Sequence, residues 1–236
     1  MRVAVMQPYL FPYLGYFHLL AAADHFVFYD DVQFIQQGWI NRNRLAHAAF
    51  AVPLQRAPHT ALIRQRLVDA GRYPHVRRKL LRGFEQHYGR APYYTTTRAT
   101  LGAVLDTPTT HIADLAAASI TAVAALLGLS TTFGRASVVD YDRSTPGSAR
   151  LLALLQALGA TTYVNPAGGG HLYHAADFAA CGIELQLLSS TLDVDDTTAG
   201  WGLSVLHPLA HYGAITCRQR VLHDYQLEKS ITHARS

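Results

Sequence analysis

Short apolar runs alternate along the chain with longer segments that have helical spacing. The first run, Arg2–Met6, predicts a buried strand, and the aromatic and β-branched run His25–Tyr29 predicts a second. Between them, Gln7–Gly15 carries two prolines and a glycine and is predicted as a loop, while Tyr16–Asp24 is predicted as a short helix. This order predicts two parallel strands joined by a right-handed crossover.

The rest of the chain continues this alternation. Helical spacing predicts further helices at Tyr73–Tyr88, His111–Leu127, Ser148–Leu158, Ala175–Cys181 and Gly202–Tyr212. Gly89, Pro92 and the Thr95–Thr97 run are expected to end the first of them. Apolar runs predict strands at Ala48–Pro53, Thr161–Val164 and Ile183–Leu188. We expect an α/β fold, a single domain over residues 1–226 with a mainly parallel Rossmann-like sheet flanked by helices, and a loose tail at 227–236.

The composition predicts a large buried core. Of 236 residues, 50% are hydrophobic and 15% are charged, whereas typical globular domains have about 25% charged residues. A chain of this length buries about 70–75% of its unfolded surface, so the core is stable without disulfides or structural metals. The two cysteines, Cys181 and Cys217, are too few for a disulfide scaffold.

The net charge of +4 arises from scattered basic residues rather than from one dense stripe. The densest groups are Arg77–Lys79 with Arg82, and Arg42 with Arg44. We interpret them as local anion sites, and we expect no nucleic-acid partner. Prolines interrupt the apolar start of the chain, and no apolar run reaches ~18 residues, so neither a signal peptide nor a membrane span is expected. These features predict a cytoplasmic protein.

The loop after the first strand is the first candidate for a binding site. In open α/β sheets, ligands bind outside the carboxyl ends of the strands. Prolines stiffen this loop, aromatic side chains provide flat walls, and a glycine permits close approach of a ligand. The alternative is a rigid aromatic loop that belongs to the core. The candidate substrate contacts are Gln7, Tyr9, Tyr13, Gly15, Tyr16 and His18.

Polar residues after the second strand extend this candidate site. Asp30 is a candidate base or metal ligand, while Asp31 is explained equally well as a cap or an ion-pair partner. In the segment Trp39–Arg44, two arginines at a spacing of two share one face of an extended chain and can bind carboxylate or phosphate. The alternative is a solvated edge strand. The candidate residues here are Asp30, Gln33, Trp39, Asn41, Arg42 and Arg44.

A glycine-rich turn after a later strand, Asn165–Gly170, is the last candidate. The N–H groups of such a turn can hold a phosphate or carboxylate, although this turn lacks the lysine of a P-loop and the dinucleotide spacing. His171 follows it as a candidate acid or base, and the candidate substrate contacts are Asn165, Gly168, Gly169 and Tyr173. The paired histidines of the chain lack nearby acidic or cysteine partners, so we expect no metal.

Together these segments resemble the WbqC-like protein family. The resemblance rests on Met-Gln-Pro-Tyr, Pro-Tyr-Leu-Gly-Tyr-Phe, Tyr-Asp-Asp-Val-Gln-Phe, Trp-Ile-Asn-Arg-Asn-Arg and Asn-Pro…Gly-Gly…Leu-Tyr, at Met6–Tyr9, Pro12–Phe17, Tyr29–Phe34, Trp39–Arg44 and Asn165–Tyr173. It extends from Met1 to about Gly213. Members sit among genes for surface polysaccharides or natural products. The resemblance therefore implies a small-molecule substrate, free or attached to a sugar or carrier, and acyl or aminoacyl transfer or amide formation on its amine.

In such an enzyme, Asp30 or His171 would accept the proton of the attacking amine. Arg42 and Arg44 would hold a carboxylate or phosphate. An oxyanion would be stabilised by Asn41, Asn165 and the N–H groups of Gly168–Gly170. One departure concerns the C-terminal part, where relatives tend to have an acidic residue after the Leu-Ser segment. This chain has His207 and Pro208 there.

A looser resemblance concerns the fold alone. The strand–loop–helix–strand start, with Pro12–Gly15 before an aromatic helix, is similar to the nucleotidylyltransferase superfamily, including the pantothenate synthetases. It implies an ATP-dependent adenylating ligase that uses ATP-Mg, although the His-x-Gly-His loop of those enzymes is Tyr-Leu-Gly-Tyr here. No cofactor is firmly implied. The sequence is also compatible with a non-catalytic binding module for a sugar nucleotide or a partner enzyme, and with a hydrolase.

Overall fold

A six-stranded sheet and a small hairpin form the framework of the protein, whose computed structural model describes residues 1–46, 48–196 and 200–230. The strands are β1 (Arg2–Met6), β2 (His25–Phe28), β3 (Arg42–Arg44), β4 (Ala49–Ala51), β5 (Thr132–Arg135), β6 (Thr162–Pro166), β7 (Glu184–Ser190) and β8 (Tyr225–Lys229). The sheet order is β5-β2-β1-β6-β7-β8, with β8 antiparallel and the other strands parallel. β3 and β4 pair antiparallel as the hairpin.

Helices cover both faces of this sheet. They are α1 (Phe17–Ala22), α2 (Tyr73–Tyr88), α3 (Tyr94–Leu105), α4 (Ile112–Leu126), α5 (Gly147–Ala157), α6 (Ala175–Ala180) and α7 (Leu206–His223). The larger core lies between one face and helices α1 to α4 and α7, and the smaller core lies between the other face and α5 and α6. β1 serves both cores, because Ala4 faces the larger one while Val3 and Val5 face the smaller.

The strand order reverses direction between β1 and β6. From β1 the chain moves to β2 on one side of the sheet, and after β5 it returns through α5 to β6 on the other side. Such a reversal separates the connecting segments at the carboxyl ends of the two strands and leaves a crevice there. The topology therefore places a crevice between β1 and β6.

The predicted fold class and most predicted elements are confirmed. The protein is an α/β domain with a mainly parallel sheet flanked by helices. The helix Tyr73–Tyr88 has the predicted bounds, and the hairpin strand β4 lies inside the predicted run Ala48–Pro53. In the described part of the chain, no helix combines the length and the hydropathy needed to cross a bilayer.

Helix α3 and strand β5 are not predicted, and the predicted bounds of the last helix are wrong. The Thr95–Thr97 run does not end the helical region but lies inside α3, where Thr97 is buried and its hydroxyl donates to the Tyr93 carbonyl. Helix α3 packs against both α2 and α4, and this packing outweighs the weak helix propensity of its threonines. Strand β5 was not predicted, because its four residues have no clear pattern. The last helix begins at Leu206 and extends to His223, with a break at Gly213, where φ is 77°.

The predicted loose tail begins too early. Leu227 and the two residues after it belong to β8, which pairs with β7 from Gln186 to Ser190. Tyr225 and Leu227 pack on the larger core while Gln226 and Glu228 are exposed. This alternation is typical of an edge strand, so the pattern for β8 is present in the sequence. Residues 231–236 of the predicted tail lie outside the described residues.

Candidate functional site

A cleft of about 630 Å³ opens at the carboxyl ends of β1, β6 and β7. Its walls come from the loop after β1, the segment before β3, the turn after β6 and the end of β7. The lining residues are Met6, Gln7, Pro8, Tyr9, Tyr13, Gly15, Tyr16, Leu19, Ile35, Gly38, Trp39, Ile40, Pro166, Ala167, Gly168, Leu188, Ser189 and Ser190. The predicted contacts that line it are Gln7, Tyr9, Tyr13, Gly15, Tyr16, Trp39 and Gly168.

Aromatic rings form one wall of this cleft. The rings of Tyr9 and Trp39 lie 6.0 Å apart, and Tyr16 meets Tyr9 edge-on at 6.2 Å. Burial raises the pKa of Tyr9, Tyr13 and Tyr16 above the ordinary value of 10.0. The three hydroxyl groups are therefore protonated at neutral pH. The hydroxyl of Tyr16 donates to the Gln7 carbonyl at 2.9 Å.

The aromatic loop is held by residues from three other parts of the chain. Asn43 is buried and donates to the carbonyls of Leu10, at 3.1 Å, and of Phe11. The Ser119 hydroxyl accepts from the Phe11 N–H at 2.8 Å, and the buried Ser204 hydroxyl donates to the Phe11 carbonyl at 3.0 Å. Phe11 has a φ of 47°, a left-handed conformation that these bonds maintain. Sequence reasoning missed all three anchors; only Asn43 had a signal, inside the Asn-Arg-Asn-Arg motif.

The opposite wall is formed by the ends of β6 and β7. Gly15 approaches this wall closely: a Cβ atom there would lie 2.6 Å from the Tyr13 ring and 3.5 Å from the Ser190 hydroxyl. Asn165 is buried behind the wall, accepts from the Tyr163 hydroxyl at 3.0 Å and donates to the Pro166 carbonyl at 2.9 Å. Gly169 packs against Asn165, which a Cβ atom would contact at 2.9 Å. Asn165 and Gly169 thus shape the turn without lining the cleft.

The lining of the cleft carries no charged side chain in the part of the chain that the structure describes. Its polar groups are the tyrosine hydroxyls, the amide of Gln7, the hydroxyls of Ser189 and Ser190, and main-chain groups of the turn Ala167–Leu172. The walls are aromatic or apolar. Such a lining favours an uncharged, flat portion of a ligand over a phosphate or carboxylate group.

Arg42 and Asn41 hold the loop that carries Trp39. The Arg42 guanidinium group donates to the Gly38 carbonyl at 2.9 Å and to the Gln37 carbonyl, and Asn41 donates to the Val52 carbonyl at 2.8 Å. The Trp39 side chain itself is 55% exposed at the rim of the cleft. Both side chains thus position this loop and lie outside the lining of the cleft, and their predicted roles in carboxylate binding and oxyanion stabilisation stay predictions.

Arg44 is exposed and does not line the cleft. It borders a separate hollow of about 230 Å³ near Val194 and Gly200. Its charge still acts on the cleft, because it opposes the rise in the pKa of Tyr9. Arg44 thus influences the aromatic wall from outside the lining.

Asp30 and Asp31 do not reach the cleft, contrary to the prediction for Asp30. Asp30 is 1% exposed and accepts hydrogen bonds from the Ser137 N–H at 3.0 Å and the Ser137 hydroxyl at 2.9 Å, with Arg135 at 3.4 Å. A carboxylate with these partners anchors the turn Ala136–Val138 after β5. The predicted catalytic base is therefore a buried structural group.

Asp31 forms a second anchor beside it. Its carboxylate accepts from the Tyr141 hydroxyl at 2.8 Å and from Arg143 at 2.8 Å, and Arg150 lies 3.3 Å away. These contacts tie the end of β2 to the segment before α5. The ion-pair alternative for Asp31 is confirmed.

His18 lies in the larger core instead of the cleft, because α1 turns this side chain toward α7. Its Nδ1 hydrogen-bonds the Val221 carbonyl at 2.9 Å, its ring lies 5.3 Å from that of Tyr225, and burial lowers its pKa. Gln33 is also outside the lining, where its amide donates to the His59 carbonyl at 2.9 Å. Neither residue is positioned to contact a ligand in the cleft.

The two predicted residues that follow the glycine-rich turn differ in position. Tyr173 packs edge-on against Tyr163 and Phe178, at 5.8 and 5.6 Å, in the smaller core. His171 is exposed and lies on the turn Ala167–Leu172, whose first residues line the cleft. His171 is thus the predicted catalytic residue that shares an element with the cleft wall.

His207 is buried in the first turn of α7. Its Nδ1 and the Tyr88 hydroxyl are hydrogen-bonded at 3.0 Å, and the His211 ring lies 4.6 Å away. Burial, with a smaller contribution from His211, lowers the pKa of His207 to about 4. The imidazole is therefore neutral at neutral pH. Within the described residues, no group of three or more His, Cys, Asp or Glu side chains is arranged to hold a metal ion.

The fold defines a doubly wound α/β protein with a cleft at its switch point. The chain matches the WbqC-like protein family over residues 7–198, and it belongs to that family. A protein of Mycobacterium tuberculosis described as "Uncharacterized protein Rv1507c" is 30% identical over 170 residues, which cover 70% of this chain and 71% of the relative. No solved structure shows a significant match to the chain.

Proposed function

We propose that this protein binds a small molecule with an uncharged ring in the cleft between β1 and β6 and transfers an acyl or aminoacyl group to an amine of that molecule. The product would be an amide of a surface-polysaccharide or natural-product pathway, as the family resemblance implies. The observation that carries the binding step is the cleft itself, which combines an aromatic wall, hydroxyl donors and an uncharged lining at the switch point.

The exposed Trp39 ring supports a stacked ligand. An indole that is 55% exposed beside Tyr9 offers a flat apolar face that a ring on the ligand would cover. Such ring contacts contribute about 0.5–1.5 kcal/mol beyond the area that they bury. Among the described residues, the Tyr13 hydroxyl and the Gln7 amide make no hydrogen bond and can bond the edges of that ring, whereas the Tyr9 hydroxyl donates to the Asn43 side-chain oxygen at 3.4 Å.

The transfer step uses neutral donors rather than charged side chains. As the amine nitrogen attacks the acyl carbon, negative charge develops on the acyl oxygen, which the protonated Tyr13 hydroxyl and the Gly168 N–H would stabilise. The leaving group departs with its bonding electrons. His171, on the same turn as Gly168, would accept the proton that the amine loses. Asp30 and Arg42 have no part in this step.

Ligand-induced thermal shifts test the binding step. The panel comprises neutral pyranosides, amino sugars, nucleotide sugars, acyl thioesters and amino acids, measured on the wild type, on Trp39→Ala and on Ile215→Ala. Ile215 is 78% exposed on α7 and does not line the cleft, so it is the matched control. We expect a saturable shift that Trp39→Ala reduces and Ile215→Ala preserves. A shift that both variants preserve would place binding elsewhere and contradict the proposal.

A second candidate is a non-catalytic binding module, which the absence of charged side chains from the described lining favours. Mass spectrometry separates the two. Incubation of a bound amine with a bound acyl donor yields an amide if the protein is a transferase, and His171→Asn lowers the rate. Tight binding of both compounds without any amide would favour the binding module.

The cleft does not fit ATP-Mg as an adenylating ligase would hold it. A triphosphate is usually held by lysine or arginine side chains, and its Mg²⁺ by carboxylates. The lining described above has neither kind of group. A strong thermal shift with ATP-Mg that Trp39→Ala abolishes would reverse this conclusion.

A further inference from the structure

A second groove, of about 540 Å³, lies between the hairpin strand β4 and helix α2, apart from the cleft. Its floor is apolar and includes Leu45, Phe50, Val76 and Leu80. One wall is the outer edge of β4, and the other is the face of α2 that carries most of the basic cluster recognised in the sequence. The proposed function makes no use of this groove.

The outer edge of β4 has unpaired main-chain groups. The Leu45 N–H donates to the Ala48 carbonyl at 2.9 Å, and the Val52 N–H donates to the Asn41 carbonyl at 2.8 Å. Because inward-facing and outward-facing groups alternate along an antiparallel strand, the N–H and C=O groups of Ala49 and Ala51 point away from β3. Within the described chain, neither residue makes a hydrogen bond on that outer side.

The opposite wall of the groove is basic. Arg78, Lys79 and Arg82 line it, are exposed, and have no ion-pair partner among the described residues. Arg77, which points to the other side of α2, differs in that Asp106 lies 2.6 Å away. Three uncompensated positive charges therefore face a free strand edge across an apolar floor.

We propose that this groove binds an acidic, extended segment of a partner protein, which adds to β4 as a further antiparallel or parallel strand. The main-chain groups of Ala49 and Ala51 would pair with the segment. Its apolar side chains would cover Phe50, Val76 and Leu80, and its carboxylates would meet the three cations. An exposed basic helix face by itself would be ordinary, but here it coincides with an unpaired, uncharged strand edge of the kind that proteins usually protect.

Fluorescence anisotropy with a labelled peptide tests this proposal on the full chain. The probe is an extended peptide of alternating glutamate and valine between terminal glycines. We expect saturable binding at low ionic strength that is about tenfold weaker for Arg78→Ala/Arg82→Ala. Arg90→Ala is the matched control, since Arg90 is exposed near the end of α2, has no ion pair in the described chain and does not line the groove. It is expected to bind as the wild type does.

Two altered probes separate strand addition from simple charge attraction. N-methylation of alternate residues removes the N–H groups that would pair with β4 and leaves the charge unchanged, so binding is expected to be lost. Replacing glutamate by lysine is also expected to abolish binding. Equal affinity for the N-methylated and unmodified peptides would overturn the proposal. Tighter binding of a single-stranded oligonucleotide would also overturn it, because it would identify a nucleic-acid surface.

Discussion

Arg42 restrains the loop that carries Trp39, because its guanidinium group donates to the carbonyls of Gln37 and Gly38. Gln37 has a φ of 63°, so this loop is held in a conformation that few residues adopt freely. Without the guanidinium group, Trp39 would sample several positions at the rim of the cleft. Binding would then require the loop to be ordered at the same time.

We therefore expect Arg42→Ala to weaken ligand binding in the cleft about tenfold, from the loss of about 1.4 kcal/mol of preorganisation. The expected loss of folding stability is small, because the loop is exposed. Ligand titration followed by tryptophan fluorescence measures the effect. Arg90→Ala is the matched control, since Arg90 is exposed, makes no hydrogen bond to this loop and does not line the cleft. Equal affinities of Arg42→Ala and wild type would refute the positioning role.

His207 makes the stability of the protein depend on pH. Its pKa in the folded protein is about 4, below the ordinary value of 6.5, because the ring is buried. The unfolded chain therefore binds the proton more tightly, so stability falls as the pH decreases from about 6.5 to about 4 and is unaffected by this group below that range. We expect a loss of about 1–2 kcal/mol, allowing for partial access of solvent to the ring.

Thermal unfolding between pH 7 and pH 4 checks this dependence. His207→Gln keeps a hydrogen-bonding group near Tyr88 but cannot be protonated, so its midpoint is expected to fall less steeply with acid than that of the wild type. His174→Gln, at an exposed position, serves as the control and should behave as the wild type does. Parallel curves for His207→Gln and wild type would show that other groups cause the acid sensitivity.

The edge strand β8 protects the end of the sheet. It covers β7 from Gln186 to Ser190, and Tyr225 packs against the ring of the buried His18. Removing β8 would leave β7 as a free edge and would uncover part of the larger core. Free edges of this kind pair with other chains.

A chain truncated after Asp224 is therefore expected to unfold at a lower temperature and to associate as its concentration increases. Sedimentation velocity and circular dichroism measure the two effects. A chain truncated after Ser230 is the matched control, because it keeps all of β8. If both truncated chains were monomeric and equally stable, β8 would have no protective role.

The two cores share one sheet, and this links the stability of all parts of the protein. Val3 and Val5 belong to the smaller core and Ala4 to the larger, so one strand cannot leave one core without leaving the other. The long segment between β2 and β5 also returns to the larger core through α2, α3 and α4. We therefore expect both layers to unfold in one transition.

Leu154→Ala tests this coupling. Leu154 is fully buried in the smaller core, and its truncation is expected to cost about 2–5 kcal/mol. Trp201 reports on the larger core and Trp39 on the cleft, so neither tryptophan lies in the smaller core. We expect tryptophan fluorescence and far-ultraviolet circular dichroism to show the same lowered midpoint. A fluorescence midpoint unchanged from wild type would show that the layers unfold separately.

The sequence predicts those helices and strands whose own residues have a clear hydrophobic periodicity. The apolar run of β1, the aromatic run of β2 and the helical spacing of α2 and α5 each carry a clear periodicity. The aromatic loop after β1 is predicted as a cleft wall for a similar reason, since its prolines, glycine and rings follow a strand end. In contrast, α3 and β5 depend on neighbours that are distant in sequence, and their patterns are weak.

The sequence by itself determines the α/β class, the family and the position of the aromatic loop, because these depend on local periodicity and on motifs. Only the tertiary structure decides which polar side chains face the cleft. Asp30 follows β2 and Gln7 follows β1, yet Asp30 bonds to Ser137 after the neighbouring strand β5 while Gln7 lines the cleft. A buried polar group must find a hydrogen-bond partner, and that partner is often far along the chain. The role of each polar residue is therefore decided only when the folded chain brings its partners together.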